Sequence, residues 1–285
     1  MPSFATPGPI TAHLEPAVGL VTVIASDRAD TVVEVRPTDP TNPSDVRAAE
    51  QTTVEFSGTT LTVKGPRRGA LDFSNKTRSI DVTVELPTGS RVEGGAGVGD
   101  LNTAGRLAEC RYKSGAGKLV LEHVAELNAA TGAGDIVVER IDGNAELTTS
   151  SGQVRLGAVA GGAVVKNSNG TTTIGSVGGP VRVRSANGDI VVEHADGSVE
   201  AKTANGAVRV LDAVRGALSL ETAMGEIEIG IHEGSAAWLD VKTRFGHVRN
   251  EMAESTSPDE TVDKLEVHAA TSFGDIVIRR AIRRS

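Results

Sequence analysis

Aromatic side chains are scarce in this chain of 285 residues, where Phe, Trp and Tyr together make up 2% of the sequence. Hydrophobic residues nevertheless account for 39%. Any core must therefore be built mainly from Val, Ile, Leu and Ala. The single Trp and the single Tyr are also too few to form a ladder of rings that stacks on sugars.

The chain is equally poor in cysteine and in excess positive charge. Its one cysteine, Cys110, cannot form an intrachain disulfide. The net charge of −8 argues against nucleic acid or an anionic membrane surface as the main partner. Residues 279–285 are locally basic. We interpret them as a solvated tail, with docking to an acidic partner as the alternative.

Targeting signals are also missing from the sequence. Residues 1–9 contain no basic region followed by an apolar run, so they do not match a signal peptide. We expect these residues to be disordered. No stretch reaches the roughly 18 apolar residues of a membrane-spanning helix. Together these absences predict a cytoplasmic protein without a membrane span.

Glycine, by contrast, is abundant, with 33 residues. Many belong to a repeat in which glycine, one variable residue and usually an aliphatic residue return about every 18 positions. The repeat glycines are Gly99, Gly117, Gly134, Gly152, Gly170, Gly188, Gly206, Gly225, Gly246 and Gly274. A period this steady indicates a solenoid of stacked units.

Each unit contains two short segments of alternating apolar residues with a turn between them. In residues 177–192 the alternating pairs are Val181 with Val183 and Ile190 with Val192. This alternation favours strands with one buried face. Stacking the units about 4.8 Å apart would pair each strand with its copies and align the apolar residues in columns.

The predicted fold class is therefore all-β, a single-stranded parallel β-helix (β-solenoid) with about ten regular coils of about 18 residues. A helical solenoid is disfavoured because the apolar residues follow a period of two rather than 3.6. A left-handed hexapeptide helix needs an aliphatic residue every six positions, which this pattern lacks. The right-handed form is favoured.

The same pattern predicts how the chain is divided. We expect regular coils over 93–278 and irregular, wider coils over 10–92 that cap the first strand edge. Loops are predicted at 36–45, which contains three prolines, and at 65–75. The acidic segment 251–264 is predicted to be an insertion loop.

Several segments carry a resemblance to a known family. They are Ser79–Ser90, Gly132–Ile136, Ala186–Ile190, Ala237–Asp240 and Ser272–Ile276. These segments resemble the DUF4097 family of β-strand repeat proteins, of the type common in actinobacteria. The resemblance extends from about Ile10 to Arg279. It implies a β-solenoid and an adhesin-like surface role, and it implies no reaction and no catalytic residue.

Equivalent positions of a β-helix form ladders, so a catalytic site should place its groups in adjacent coils. The residue after the repeat glycine is Asp in four units that are never neighbours. These acids do not supply the carboxylate pair, about 5–9.5 Å apart, that glycoside cleavage needs. The six histidines are scattered and indicate no shared metal site. We therefore predict no catalytic residue, no metal ligand and no cofactor.

Two ladders at the position before the repeat glycine indicate structural roles. Asn169, Asn187 and Asn205 occupy it in three successive units, which predicts a hydrogen-bonded amide ladder. Phe245 and Phe273 occupy it near the end of the chain. We expect them to stack on each other, with Met224 beneath.

A further ladder carries the candidate binding residues. It consists of Lys166, Arg184 and Lys202, with Thr148 before them and Glu221 after them. Three cations about 4.8 Å apart would repel one another unless nearby acids compensate or a ligand binds. A solvated charged face is one interpretation, and an anion-binding or partner-binding stripe is the other.

Two functions remain as hypotheses. The first is a non-enzymatic β-solenoid scaffold that presents flat faces to a protein partner or to its own copies. The alternative is a polysaccharide-binding or polysaccharide-cleaving β-helix, which would show adjacent carboxylates and exposed aromatic residues. Protein is therefore the expected partner, carbohydrate the less favoured one, and nucleic acid is not expected.

Overall fold

A computed structural model describes residues 1–66, 78–252 and 263–282. These residues form 23 strands and one helix, which confirms the all-β prediction. The chain divides into two compact units, Met1–Arg140 and Ile141–Ser285. None of the described helical residues forms a segment long and apolar enough to cross a membrane.

The first unit stacks parallel strands and covers one end with antiparallel ones. Its elements are β1 (Ser3–Ala5), β2 (Thr11–Ser26), β3 (Asp30–Pro37), α1 (Pro43–Gln51), β4 (Thr53–Ser57), β5 (Thr60–Lys64), β6 (Ile80–Pro87), β7 (Arg91–Ala116), β8 (Leu119–Ala133) and β9 (Ile136–Ile141). Strand β2 is parallel to β5 and β6 on one edge and to β7 on the other, and β7 is parallel to β8. Strands β3 and β4 run antiparallel to β6 and β5, respectively, so the first coil has no bare parallel edge there.

Close approach of neighbouring coils explains the glycines of this unit. Gly19 has a φ of +129°, and a Cβ atom at this position would lie 1.8 Å from the carbonyl oxygen of Ile80. A larger residue would therefore clash with the backbone of the adjacent strand.

The N-terminal residues differ from the sequence prediction. Residues 1–9 are not disordered throughout, because β1 pairs with β3. Phe4 also stacks on Phe56 with ring centroids 5.1 Å apart. Pairing with β3 and stacking on Phe56 are contacts that a sequence period cannot reveal.

The predicted loop at 36–45 is only partly a loop. Strand β3 continues to Pro37, and α1 begins at Pro43 after the cap residue Asn42, whose side chain accepts a hydrogen bond from the Ser44 amide. Proline at the first helical position is a helix-start signal that the loop prediction overlooked. The predicted loop at 65–75 falls mostly outside the described residues.

The second unit has two parallel sheets, and each coil contributes one strand to each. Its strands are β10 (Ala145–Ser151), β11 (Val154–Val159), β12 (Ala163–Asn169), β13 (Thr172–Val177), β14 (Val181–Asn187), β15 (Ile190–Ala195), β16 (Val199–Asn205), β17 (Val208–Ala213), β18 (Gly216–Met224), β19 (Ile227–Ile231), β20 (Ala236–Phe245), β21 (Val248–Asn250), β22 (Lys264–Phe273) and β23 (Ile276–Arg280). The first sheet begins with β10, β12, β14, β16 and β18, and the second with β11, β13, β15, β17 and β19. Inward columns such as Val165, Val183 and Ala201 are fully buried.

The last two coils do not stack in sequence order. Strand β22 pairs with β18 on one edge and with β20 on the other, and β23 likewise lies between β19 and β21. The coil 264–280 is therefore inserted beneath the coil 236–250. The inward residue Ile278 of the inserted coil aligns with Ile229 on one side and with Asn250 of the outer coil on the other. The coil that carries Ile at this position is therefore buried between its neighbours, and the coil that carries Asn lies outermost.

The two C-terminal segments predicted as loop and tail also differ from expectation. Lys264 begins β22, and residues 253–262 of the predicted insertion lie outside the described part. Arg279 and Arg280 belong to β23 rather than to a tail, and Arg279 Nε donates to Glu228 at 3.1 Å. The handedness of the coils stays a prediction.

Candidate interaction surface

The cation ladder forms in the register that the repeat predicts. Along the first sheet of the second unit, Thr148, Lys166, Arg184, Lys202 and Glu221 are aligned in that order on successive strands. The side chains of Lys166, Arg184 and Lys202 are all exposed or half-exposed. The three candidate binding residues therefore share one face.

Acids from neighbouring strands compensate two of these three cations. Glu200 lies 2.8 Å from Arg182 and 3.3 Å from Arg184, and Lys202 lies 3.1 Å from Glu221. Burial raises the pKa of the Glu200 carboxyl, but the hydrogen bonds and charges of Arg184 and Arg182 outweigh it and leave that pKa below its usual value. Repulsion along the ladder is thus relieved by cross-strand pairs.

Lys166 stands beside a shallow groove and forms no ion pair with any residue that the structure describes. The groove has a volume of about 670 Å³. Val164, Pro180 and Val181 supply apolar lining, while Lys166 and Arg182 contribute cations. Val164 lies on the outward face of β12 and is 37% exposed, so it adds apolar surface to the groove.

The predicted amide ladder is confirmed. Asn187 Nδ2 donates to Asn169 Oδ1 at 2.9 Å, and Asn205 Nδ2 donates to Asn187 Oδ1 at 2.8 Å. The chain of bonds begins where Asn169 Nδ2 donates to the carbonyl of Ser150 at 3.1 Å. This ladder ties successive coils together at their corners.

The predicted aromatic stack is confirmed, although its order is different. The Phe245 and Phe273 rings are 4.9 Å apart and nearly parallel at 9°. Phe273 lies in register between Met224 and Phe245 because its coil is the inserted one. All three side chains are more than half exposed.

Aspartates after the repeat glycine have a structural role. Asp100, Asp189 and Asp275 each accept a hydrogen bond from a backbone amide of the adjacent coil, at 2.7, 2.9 and 2.9 Å. The hydrogen bond from the backbone amide of His247, together with Arg249, holds the pKa of the Asp275 carboxyl below its usual value. These contacts tie adjacent coils together.

The sequence profile of the family described as "Toastrack DUF4097" matches residues 20–279. The chain belongs to the DUF4097 family. A comparison with curated proteins finds no match.

Solved structures similar to this DUF4097 chain carry adhesion names. A "putative adhesin" from Parabacteroides distasonis is 13% identical, with a TM-score of 0.43 over 97% of this chain and 95% of its own. A "putative adhesin" from Bacteroides fragilis is 12% identical, with a TM-score of 0.36 over 98% and 95%. A "putative cell adhesion protein" from Clostridium sporogenes is 10% identical, with a TM-score of 0.28 over 98% of each chain.

A buried ladder of hydroxyl groups in the DUF4097 repeat was not foreseen from the sequence. In several coils, the Thr or Ser three residues before the repeat glycine donates to the carbonyl of a repeat glycine one coil away. Examples are Ser114 to Gly99 at 3.0 Å and Thr222 to Gly206 at 2.9 Å. The recurrence of Ser, Thr or Asn at this spacing was the signal in the sequence.

A second missed feature is a carboxylate between two imidazoles. Asp212 lies 2.8 Å from Nδ1 of His194 and 2.8 Å from Nδ1 of His232. Asp196 lies 3.5 Å from Nε2 of His194. Within the described ranges, no group of three or more His, Cys, Asp or Glu residues has a geometry that could hold a metal ion. Adding the 18-residue period to His194 gives Asp212, so the repeat itself could have located this pair.

The buried thiol and phenol of the first unit lie in its apolar core. Cys110 is fully buried, and burial raises the pKa of its thiol to about 12. Burial also raises the pKa of Tyr112, whose hydroxyl has no hydrogen-bond partner among the described atoms. The thiol therefore stays protonated near neutral pH and packs as a small apolar group.

Proposed function

We propose that this DUF4097 chain is a non-enzymatic, adhesin-like β-solenoid that binds a protein partner through the face carrying Lys166, Arg184 and Lys202. The groove beside this ladder carries the proposal, because exposed apolar surface there adjoins several cations. Protein interfaces combine an apolar centre with Arg-rich polar contacts in this way. The adhesion names of the similar structures agree with a binding role.

The charge of the groove supports an acidic segment on the partner. Lys166, Arg182 and Arg184 line it together with one acid, Glu200. This local positive charge lies on a chain whose net charge is −8. Complementary charge steers association and selects among partners, so an acidic surface is the one that fits.

A crosslinking pull-down from the native cell tests the proposal. The bait variant replaces Lys166, Arg184 and Lys202 with Ser, and the control variant replaces three exposed cations elsewhere, Lys113, Lys118 and Arg155. We expect the wild type and the control to recover the same protein and the ladder variant to recover at least about tenfold less of it. Equal recovery by all three baits would contradict the proposal.

Two further measurements bear on the same proposal. Binding on a glycan array, or turnover of an acidic polysaccharide, would replace the protein partner with a carbohydrate. A cytoplasmic location is part of the proposal, and cell fractionation with antibody detection tests it. Recovery of the chain in the envelope or the medium would contradict that location.

A further inference from the structure

The outermost coil of the second unit has an open strand edge. Among the described residues, β20 is hydrogen-bonded along one edge only, to β22. Its inward Leu239 and Val241 are half-buried, whereas the aligned Val267 and Ala269 of β22 are 0% and 3% exposed. Within the described residues, the apolar column of the first sheet therefore ends at a strand with a neighbour on one side only.

The backbone of β20 is oriented to accept another strand. The Ala236 amide donates to the carbonyl of Asp263 at 2.9 Å, so the even-numbered residues direct their backbone groups toward β22. By the alternation of a strand, the odd-numbered residues direct theirs toward the open edge. Leu239, Val241 and Thr243 thus present N–H and C=O groups to an incoming strand.

The outward side chains of β20 show which strand fits that edge. In order they are Trp238, Asp240, Lys242 and Arg244. Lys242 and Arg244 form no ion pair with any described residue, unlike Arg184 and Lys202 of the inner coils. An incoming strand should therefore place an acidic side chain opposite Lys242 and a side chain that can bind a guanidinium group opposite Arg244.

We propose that the occupant is a second copy of this chain, whose β20 pairs antiparallel with the first about a two-fold axis through Val241. This register places Asp240 of each copy opposite Lys242 of the other. It places Trp238 of each copy opposite Arg244 of the other, where the guanidinium can lie over the indole ring. Because the contact is isologous, each of these pairs occurs twice in the dimer.

Neighbouring registers lack this complementarity. An axis through Asp240 would set the two aspartates opposite each other, and an axis through Lys242 would set the two lysines opposite each other. An axis through Thr243 would pair Lys242 with Arg244. Like charges directly opposite in a sheet are destabilising, so the sequence of β20 selects Val241 as the centre.

The remaining side chains suit the same arrangement. Trp238 is 59% exposed, with its ring edge-on to that of His268 at 5.5 Å, and it lies on the outward face of the edge strand. On the inward face, Leu239 would meet Thr243 and Val241 would meet its own copy. The two aliphatic columns would then continue into each other and the exposed strand edge would disappear.

This contact is separate from the proposed partner-binding face. It uses β20 at the end of the stack, whereas the proposed function uses the ladder from Lys166 to Lys202. Loss of either contact would leave the other in place, so the two proposals can fail independently.

Light scattering after size-exclusion chromatography of the full chain gives the first test. The chain has a mass of 29.4 kDa, and we expect a species of twice that mass that dissociates on dilution. Trp238 is the sole tryptophan, so its fluorescence emission should shift to longer wavelength as the dimer dissociates. A chain that stays monomeric at all attainable concentrations would overturn the proposal.

Charge reversal gives the decisive test of the register. Asp240→Lys and Lys242→Asp should each weaken self-association at least about tenfold, because each creates two like-charge pairs. An equimolar mixture of these two variants should restore the dimer, because every introduced charge then faces its opposite. The double variant carrying both changes should also dimerise.

The mixture separates a lost contact from a misfolded chain, because two misfolded variants would not rescue each other. Arg155→Asp, a charge reversal at an exposed position of β11 away from the edge, is the matched control and should keep the wild-type mass. Dimers that persist in both single variants, or a mixture that stays monomeric, would overturn the proposal.

Discussion

The coils 216–231 and 236–250 of the second unit share one repeat but differ in what surrounds them. Leu218 of the first coil aligns through Val267 with Leu239 of the second. Leu218 is 0% exposed and has strands on both sides, whereas Leu239 is half-buried beside an edge that no described strand covers. Position in the stack, rather than the residue itself, therefore decides how much each leucine contributes to stability.

Truncation of these two leucines should show the largest difference. Leu218→Ala removes a fully buried side chain between two coils and should cost about 2–5 kcal/mol of unfolding free energy. Leu239→Ala should cost well under half of that in dilute solution, because solvent already reaches the site. Urea unfolding of both variants checks the comparison, and equal losses would show that the outer coil is as enclosed as the inner one.

Removal of one rung from the hydroxyl ladder should have a smaller effect. Thr222→Val keeps the shape of the side chain but removes the bond to the Gly206 carbonyl, at a cost of about 0.5–1.5 kcal/mol. Thr243→Val removes the equivalent bond to Gly274 in the outer coil, where water can replace the lost donor. Chemical denaturation should rank Thr222→Val as the more damaging change, and the reverse ranking would contradict this account.

The smallest expected effect is a pH dependence at the contact between the inserted coil 264–280 and the outer coil 236–250. Hydrogen bonds to Glu266 and to Asp240 raise the pKa of His268 above its ordinary value of 6.5. A raised folded-state pKa means that the stabilisation is fully present below pH 6.5 and is lost as the pH rises through the folded-state pKa.

Comparison of the wild type with His268→Gln measures this effect. The difference in urea midpoint between the two proteins should be larger at about pH 5.5 than at about pH 8.5. His123→Gln, a histidine of the first unit, is the control variant. A difference that grows toward high pH would contradict the assigned direction of the pKa shift.

The repeat predicted most of the second unit because each residue repeats its environment every coil. Counting residues by the 18-residue period is enough to predict that Lys166, Arg184 and Lys202 lie on one face and that Asn169 and Asn187 stack on each other. The prediction from the period is wrong where a coil does not have the same neighbours as the other coils. The insertion of β22 between β18 and β20 depends on which of two similar coils is more apolar, and that is a competition between segments rather than a local pattern.

The site was less predictable than the fold for a related reason. The period gave the register of the cation ladder but not the neighbours that compensate it, because Glu200 reaches Arg184 diagonally rather than along the same ladder. The contact between Asp212 and His232 depends on how the turn after β19 folds back. Such contacts depend on side-chain reach, which spacing does not encode.

Hydrogen exchange of the outer and inserted coils tests the central claim most directly. The account predicts that amides of Leu265–Val267 exchange slowly at every protein concentration, although they lie nearer the end of the chain. The edge-facing amides of Leu239, Val241 and Thr243 should exchange faster in dilute solution and become protected as the concentration rises and a second copy covers the edge. Slower exchange in 236–250 than in 264–280, at low concentration, would contradict both the order of the coils and the open edge.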